Sequence, residues 1–157
     1  MADKTNASRI LDRLGINYEL IEYAVDPEHL EACHVAEALG QDISTVYKTL
    51  VLRGDKTGIF VCVIRGDKEV DLKKAAIVSG NKKVAMIHLK ELQPLTGYIR
   101  GGCTAIGMKK QYPVFIGKEA LELSSFHVSA GRRGLQLKLN PCDLAKASDA
   151  SFEDISS

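Results

Sequence analysis

No apolar stretch in the chain approaches the roughly 20 residues that a membrane span requires. The N-terminus, Met1-Ala2-Asp3-Lys4-Thr5-Asn6, lacks the long apolar core of a signal peptide. A cytoplasmic protein without a membrane partner is the expectation. Cysteine is sparse and scattered. Cys33, Cys62, Cys103 and Cys142 form no Cys-x-x-Cys pair, and no cysteine–histidine cluster has zinc-finger spacing. His34 directly follows Cys33, but neighbours in sequence seldom form a site by themselves. Reduced, partly buried thiols and no metal are expected. Also missing are a Gly-x-x-x-x-Gly-Lys-Ser/Thr loop and a Gly-x-Gly-x-x-Gly turn opening a helix after a strand, so no nucleotide cofactor is expected. No Ser-His-Asp or Cys-His arrangement stands out. Cys103 has no histidine near it in sequence and reads as a structural thiol. His29, His34, His88 and His127 read as surface or packing residues.

At 157 residues, 45% hydrophobic and 26% charged, the chain suits one domain, residues 1–157, with a substantial core. Its formal net charge of +1 conceals an asymmetry. Residues 1–45 carry three basic and nine acidic side chains, a balance of −6. Residues 46–139 carry seventeen and seven, for +10, and residues 140–157 carry one and four, for −3. Four basic doublets lie in the middle: Lys73-Lys74, Lys82-Lys83, Lys109-Lys110 and Arg132-Arg133. On charge alone, a polyanion-binding centre and a solvated surface balanced by acidic ends explain this equally well.

Periodicity and punctuation predict interleaved helices and strands. A helix over Ala7–Leu14 stops at Gly15, a loose strand covers Ile16–Tyr23, and a second helix runs from about Leu30 to Leu39 before Gly40. Val46–Leu52 and Ile59–Ile64 read as strands joined in a hairpin by Arg53–Gly58. Arg-Gly-Asp-Lys occurs at 53–56 and again at 65–68, and strand-end turns explain both copies better than an adhesion role. Asp71 caps a helix over Leu72–Val78, ended by Gly80. A short strand near Val84–Met86, a helix around Leu89–Leu92, and strands at 114–116, 126–128 and 135–139 follow. Asn140-Pro141 starts a last brief helix, and Ser156-Ser157 are expected to fray. The irregular spacing argues for a mixed sheet with flanking helices, not a doubly wound parallel one.

Three segments could carry chemistry. Lys48 is a lone charge inside an apolar strand, and alternation puts it on the face of Val46, Leu50 and Leu52. An ammonium there either meets an anion or snorkels out to water from near a strand end. The paired glycines of Gly97–Gly107 allow a backbone to approach a ligand with free N–H groups. Ser129-Ala130-Gly131-Arg132-Arg133-Gly134 offers a hydroxyl, two glycines and two guanidinium groups. Plain turn geometry is the alternative for both glycine segments.

The order of Ala36–Gly40, Val46–Val51, Gly97–Gly107 and Ser129–Gln136 resembles the YbaK/EbsC family, which is related to the editing domain of bacterial prolyl-tRNA synthetases. The resemblance runs from about Ala7 to Phe152. It implies an α/β (α+β) domain with a mixed, largely antiparallel, barrel-like sheet and flanking helices. It further implies a free-standing trans-editing deacylase whose partner is aminoacyl-tRNA, tRNA(Pro) above all, with prolyl-tRNA synthetase as a further partner and no cofactor. Cysteinyl-tRNA bearing the proline tRNA is the best-known YbaK-type substrate. Position by position, the resemblance assigns the functional lysine to Lys48 and the carbonyl-facing backbone to Gly101, and the Gly101 and Gly102 amides are both expected to polarise the ester carbonyl. It assigns the substrate pocket to Tyr23, Thr104, Ser129 and Gly131. The basic doublets, by their charge, are expected to add weaker tRNA contacts through Lys73, Lys74, Lys109, Lys110, Arg132 and Arg133. Two departures bear on substrate choice: Thr104-Ala105 stands where the family commonly has Ser-Pro, and Gln136 where some members carry aspartate.

In the resembling enzymes the substrate cysteine's own thiol attacks its carbonyl, leaving a cyclic thiolactone. The protein then contributes positioning and electrostatics. Water-driven editing of an alanyl ester would need an acceptor to activate the water, and none is obvious in the sequence. A non-catalytic RNA- or nucleotide-binding module and thiol redox chemistry are the remaining alternatives.

Overall fold

The computed structural model describes residues 3–157. Helix α1 (Asn6–Arg13) opens on a reciprocal cap in which the Ser8 N–H donates to Thr5 Oγ1 (3.2 Å) and the Thr5 N–H to Ser8 Oγ (2.8 Å). Strand β1 (Glu19–Glu22) and helix α2 (Ala32–Leu39) follow, and Gly40 ends α2 in the left-handed region (φ 67°). Strands β2 (Tyr47–Gly54) and β3 (Gly58–Arg65) form the expected hairpin. Helix α3 (Leu72–Ser79) begins where Asp71 Oδ1 accepts from the Lys73 and Lys74 N–H groups (3.0 and 3.1 Å). Then come β4 (Val84–Met86), α4 (Leu92–Thr96), β5 (Val114–Gly117), β6 (Phe126–Ser129), β7 (Leu135–Leu139), α5 (Pro141–Ser148) and β8 (Ser151–Glu153).

One sheet has the order β4-β2-β3-β5-β8 and the other β1-β7-β6. The β3–β5 and β5–β8 pairs are parallel and the other four antiparallel, so the sheet system is mixed and mainly antiparallel, as expected. Alternation along the strands sends Tyr47, Val51, Val61, Val63 and Ile116 toward Phe126, Val128, Leu135 and Leu137 of the other sheet, forming the larger core. The Tyr47 and Phe126 rings meet edge-on at 5.0 Å. The opposite face of β2 and β3 packs Leu52, Phe60, Cys62 and Ile64 with Ala75 of α3 and Ile155.

The barrel-like sheet implied by the resemblance is not closed, and this corrects that expectation. The two sheets meet at one isolated parallel bridge, Val46–His127. On that same edge of β2, the short β4 takes only Leu52, Arg53 and Gly54. Among the described residues, the intervening edge, around Lys48 to Leu50, has no strand partner. Other differences are local. The 16–23 strand shortens to β1, the second helix starts at Ala32, and Leu89–Glu91 is a 3₁₀ turn leading into α4. Ser156-Ser157 do not fray: Ser156 bridges Val70, and the Ser157 N–H donates to the Glu69 carbonyl (3.0 Å) beside the fully buried Ile155. Among the described residues, no helix is long and apolar enough to cross a membrane.

Candidate active site

A cleft of about 410 Å³ opens along the unpaired edge of β2. Because it wraps around a strand edge, residues of both β2 faces line it, from Val46 to Val51. Lys48 is half-buried there, and among the described residues no carboxylate lies within ion-pair distance of it. Leu50 and Leu52, on its own face, pack into the smaller core, so Lys48 stands where that apolar face runs out into the cleft. Leu30 and Val35 near α2, together with Met86, Leu89 and Leu92, give the cleft an apolar wall.

Opposite lies the first glycine loop. Gly101 has φ +84°, a conformation that side-chain-bearing residues rarely adopt, and a Cβ there would meet Leu30 Cδ2 at 3.2 Å. Its neighbour Gly102 needs to be glycine for another reason. A Cβ on it would sit 3.0 Å from Arg132 Cα and 3.1 Å from Arg133 N, so the two glycine loops pack backbone against backbone. Arg133 ties them further, donating from Nε to the Arg100 carbonyl (2.8 Å). Among the described residues, the Gly101 and Cys103 N–H groups donate to no protein acceptor. The Gly102 N–H is already committed to the Ile99 carbonyl at 2.9 Å. The expectation that Gly102 polarises a bound carbonyl is therefore corrected: its amide closes a turn, and only Gly101 of the pair lines the cleft.

Ser129 joins Lys48 and Gly101 in the cleft, with Oγ accepting from the Gly131 N–H (3.2 Å) and its own proton free to be donated. Gly131 (φ +103°) packs under the Tyr98 ring and does not line the cleft. Thr104 is fully buried beneath the loop, outside the cleft lining, and its Oγ1 has no partner among the described residues. Tyr23 lines an adjoining hollow of about 290 Å³ that shares Leu30 and Val35 with the main cleft. Of the basic residues, Lys73, Lys109, Lys110 and Arg132 are exposed. Lys74 is spent on Asp154 Oδ1 (3.1 Å) and the Ser156 carbonyl (3.3 Å), and Arg133 on the loop contact above.

Three cleft residues escaped the sequence reading. Arg100 adds a second cation, itself exposed, directly before the glycine pair, an order that could have flagged it. Gln136 is buried on the cleft wall with Oε1 unpartnered. Its departure from the family pattern was its only signal. Glu31 brings a carboxylate to the rim.

Cys103 also lines the cleft, but burial pushes its thiol up to about 12, with a Thr96 hydrogen bond opposing the shift. At neutral pH it is a protonated thiol and a poor nucleophile. His127 is buried, its basicity lowered by burial and by the Lys138 charge, and its only described role is packing at the inter-sheet bridge. Fold and site together define an α+β domain with an open cleft that gathers two cations, Lys48 and Arg100, beside the uncommitted Gly101 and Cys103 N–H groups.

The comparisons with known proteins specify that class. The model of the "Aminoacyl-tRNA editing domain" family matches residues 26–147. An Enterococcus faecalis protein named as a candidate Cys-tRNA(Pro)/Cys-tRNA(Cys) deacylase, EbsC, is 49% identical over 97% of this chain and 93% of its own. The proline–tRNA ligase of Cupriavidus necator is 31% identical over 68% of this chain and 19% of its own. A crystal structure of a candidate trans-editing enzyme for prolyl-tRNA synthetase superposes with a TM-score of 0.83 over 99% of both chains at 21% identity, a likeness of fold. The chain belongs to the aminoacyl-tRNA editing domain family.

Proposed function

We propose that the protein is a trans-editing deacylase that clears cysteine mischarged onto tRNA(Pro). The observation that carries this is the 49% identity, over nearly the whole chain, with a relative named for Cys-tRNA(Pro) and Cys-tRNA(Cys). The match to a segment of a proline–tRNA ligase links the same domain type to proline charging, and makes prolyl-tRNA synthetase a partner to test.

The cleft supplies the parts that such a reaction needs. The Lys48 ammonium, with Arg100 in the same cleft, holds the tRNA 3′ end through a phosphate or the ribose-ester oxygens. The free Gly101 N–H donates to the ester carbonyl as it becomes an oxyanion, a contact worth about 3 kcal/mol for a well-placed donor. Gln136 Oε1, a buried acceptor without a partner, takes the substrate's α-ammonium, and Ser129 closes the pocket. Cys103 is a buried, protonated thiol, and in this reading, as in the enzymes the chain resembles, the attacking sulfur is the substrate's own. It adds to the ester carbonyl, the C–O bond to the ribose breaks, the proton leaves the thiol for the ribose oxygen, and a thiolactone and free tRNA result. Holding thiol and carbonyl in contact removes several kcal/mol of barrier without any protein nucleophile. Lys73, Lys109, Lys110 and Arg132 add weaker, salt-sensitive contacts to the acceptor stem.

The test is deacylation of cysteinyl-, alanyl- and seryl-tRNA(Pro) by the wild-type chain. Release from the cysteinyl ester and much slower release from the seryl analogue support the reading. No release from any of the three sinks it, and preference for the alanyl ester replaces the thiol mechanism with water-driven hydrolysis.

A further inference from the structure

Beside the cleft, the segment from Asp26 to His34 folds into an arrangement that the deacylase mechanism does not use. The His29 N–H donates to the Asp26 carbonyl (2.9 Å) and the Glu28 N–H to Asp26 Oδ1 (3.1 Å), which makes a tight turn. Glu31 then occupies the N-cap position of α2, yet its carboxylate makes no capping bond to the helix. It turns instead toward His34, with Oε2 3.8 Å from Nε2. The His29 ring folds back over the His34 ring, with centroids 4.5 Å apart. One ligand atom each from His29, Glu31 and His34 thus lies within 4.8 Å of the other two. Asp26 Oδ2 stands 4.0 Å behind the His29 Nε2.

We propose that His29, Glu31 and His34 form a binding site for a zinc ion on the border between the adjoining hollow, which the two histidines line, and the rim of the cleft, which Glu31 lines. Two imidazoles and a carboxylate are the donor set of a three-ligand zinc site, with a fourth position left to water or another oxygen donor. Around such an ion, ligand atoms sit about 2.0–2.2 Å from the metal and so roughly 3.3–3.5 Å from one another. The gap from the observed spacing closes by side-chain rotation alone, because all three side chains are about half-exposed. The field favours a cation: residues 1–45 carry a balance of −6, and Asp26 and Glu37 line the same hollow. No zinc-finger spacing marks the site, because the cluster forms across a turn and a helix start, not within a regular motif.

The site has a mechanical link to the cleft. Leu30, between two of the ligands, lines the cleft and packs against Gly101, and Glu31 itself stands on the rim. A zinc ion here fixes that segment and neutralises the carboxylate nearest the anion-binding cleft.

The test uses the metal-free 157-residue chain at neutral pH, titrated with Co²⁺ as a spectroscopic probe and with Zn²⁺ against a chromophoric chelator. Neither readout depends on deacylase activity. The expected result is one saturable equivalent of each metal, with visible d–d bands for Co²⁺. His29→Ala and His34→Ala should each weaken binding about tenfold or more, while melting like the wild type. His88→Ala, Cys33→Ser and Cys142→Ser should bind as the wild type does. Absence of saturable binding overturns the proposal, as does binding that survives His29→Ala/His34→Ala or disappears with either cysteine.

Discussion

Replacing Lys48 with methionine should separate function from stability in opposite directions. The side chain is half-buried at the unpaired β2 edge, with no carboxylate near it among the described residues. Methionine keeps the length and apolar stem but removes an ammonium that folding partly desolvates without compensation. Stability should therefore hold or rise by up to about 1 kcal/mol, an upward Tm shift of roughly 2–4 °C for a chain of this size. Activity should move the other way. Two unit charges 4 Å apart interact by about 4 kcal/mol at an effective dielectric of 20. Solvent screening at a half-exposed site reduces this to about 2–3 kcal/mol. The corresponding loss in kcat/KM for cysteinyl-tRNA(Pro) is roughly 30- to 150-fold. The assay pairs deacylation kinetics with thermal melting of the same preparations. Lys48→Met should also lessen the decline of kcat/KM with added salt. A variant that melts several degrees lower, losing activity only in proportion to its unfolded fraction, would refute the reasoning by making Lys48 a structural residue. Wild-type kcat/KM in a folded variant would refute it equally.

Gly102→Ala should lower unfolding free energy in urea by about 1–3 kcal/mol and also cut kcat, because the added Cβ meets the immovable Arg132 backbone at 3.0 Å and separates the two loops. Cys103→Ala should retain deacylation, and iodoacetamide at neutral pH should label the exposed Cys33 and Cys142 while sparing Cys103. Burial raises the folded-state pKa of Cys62 and Cys103 from 9.0 to about 12, so their contribution to stability is full below about pH 9 and lost as pH climbs toward 12. Chemical denaturation across that window should show falling stability, and Cys103→Ala should flatten the fall. Asp71→Ala, which frees two amides at the start of α3, should cost about 1 kcal/mol in the same denaturation experiment.

The features legible in the sequence were those with local causes. Asp71 at the start of α3, Gly40 and Gly80 at helix ends, and the β2–β3 hairpin all follow from residues a few positions apart. Strand β8 was not legible, because Ser151-Phe152-Glu153 has no apolar alternation of its own and is a strand only through parallel pairing with β5. Lys74 looked like a tRNA contact until folding brought Asp154, eighty residues away, within 3.1 Å of it. Gly101 and Gly102 are equivalent as letters. Their roles divide because the Ile99 carbonyl takes one amide and leaves the other free.

The site's position follows from the same failure of pairing that keeps the barrel open. A β2 edge fully covered by β4 or β6 would have buried the Lys48 strand on both sides and left the ammonium to snorkel past a neighbouring strand. Instead β6 reaches only Val46, and β4 only Leu52 onward. The gap between them exposes the Lys48 flank to the Gly101 loop while the Leu50–Leu52 end of the same face stays in the core. A lone charge on an apolar strand is therefore consistent with the fold: apolar neighbours anchor the strand at one end, and the other end serves as the wall of a cleft.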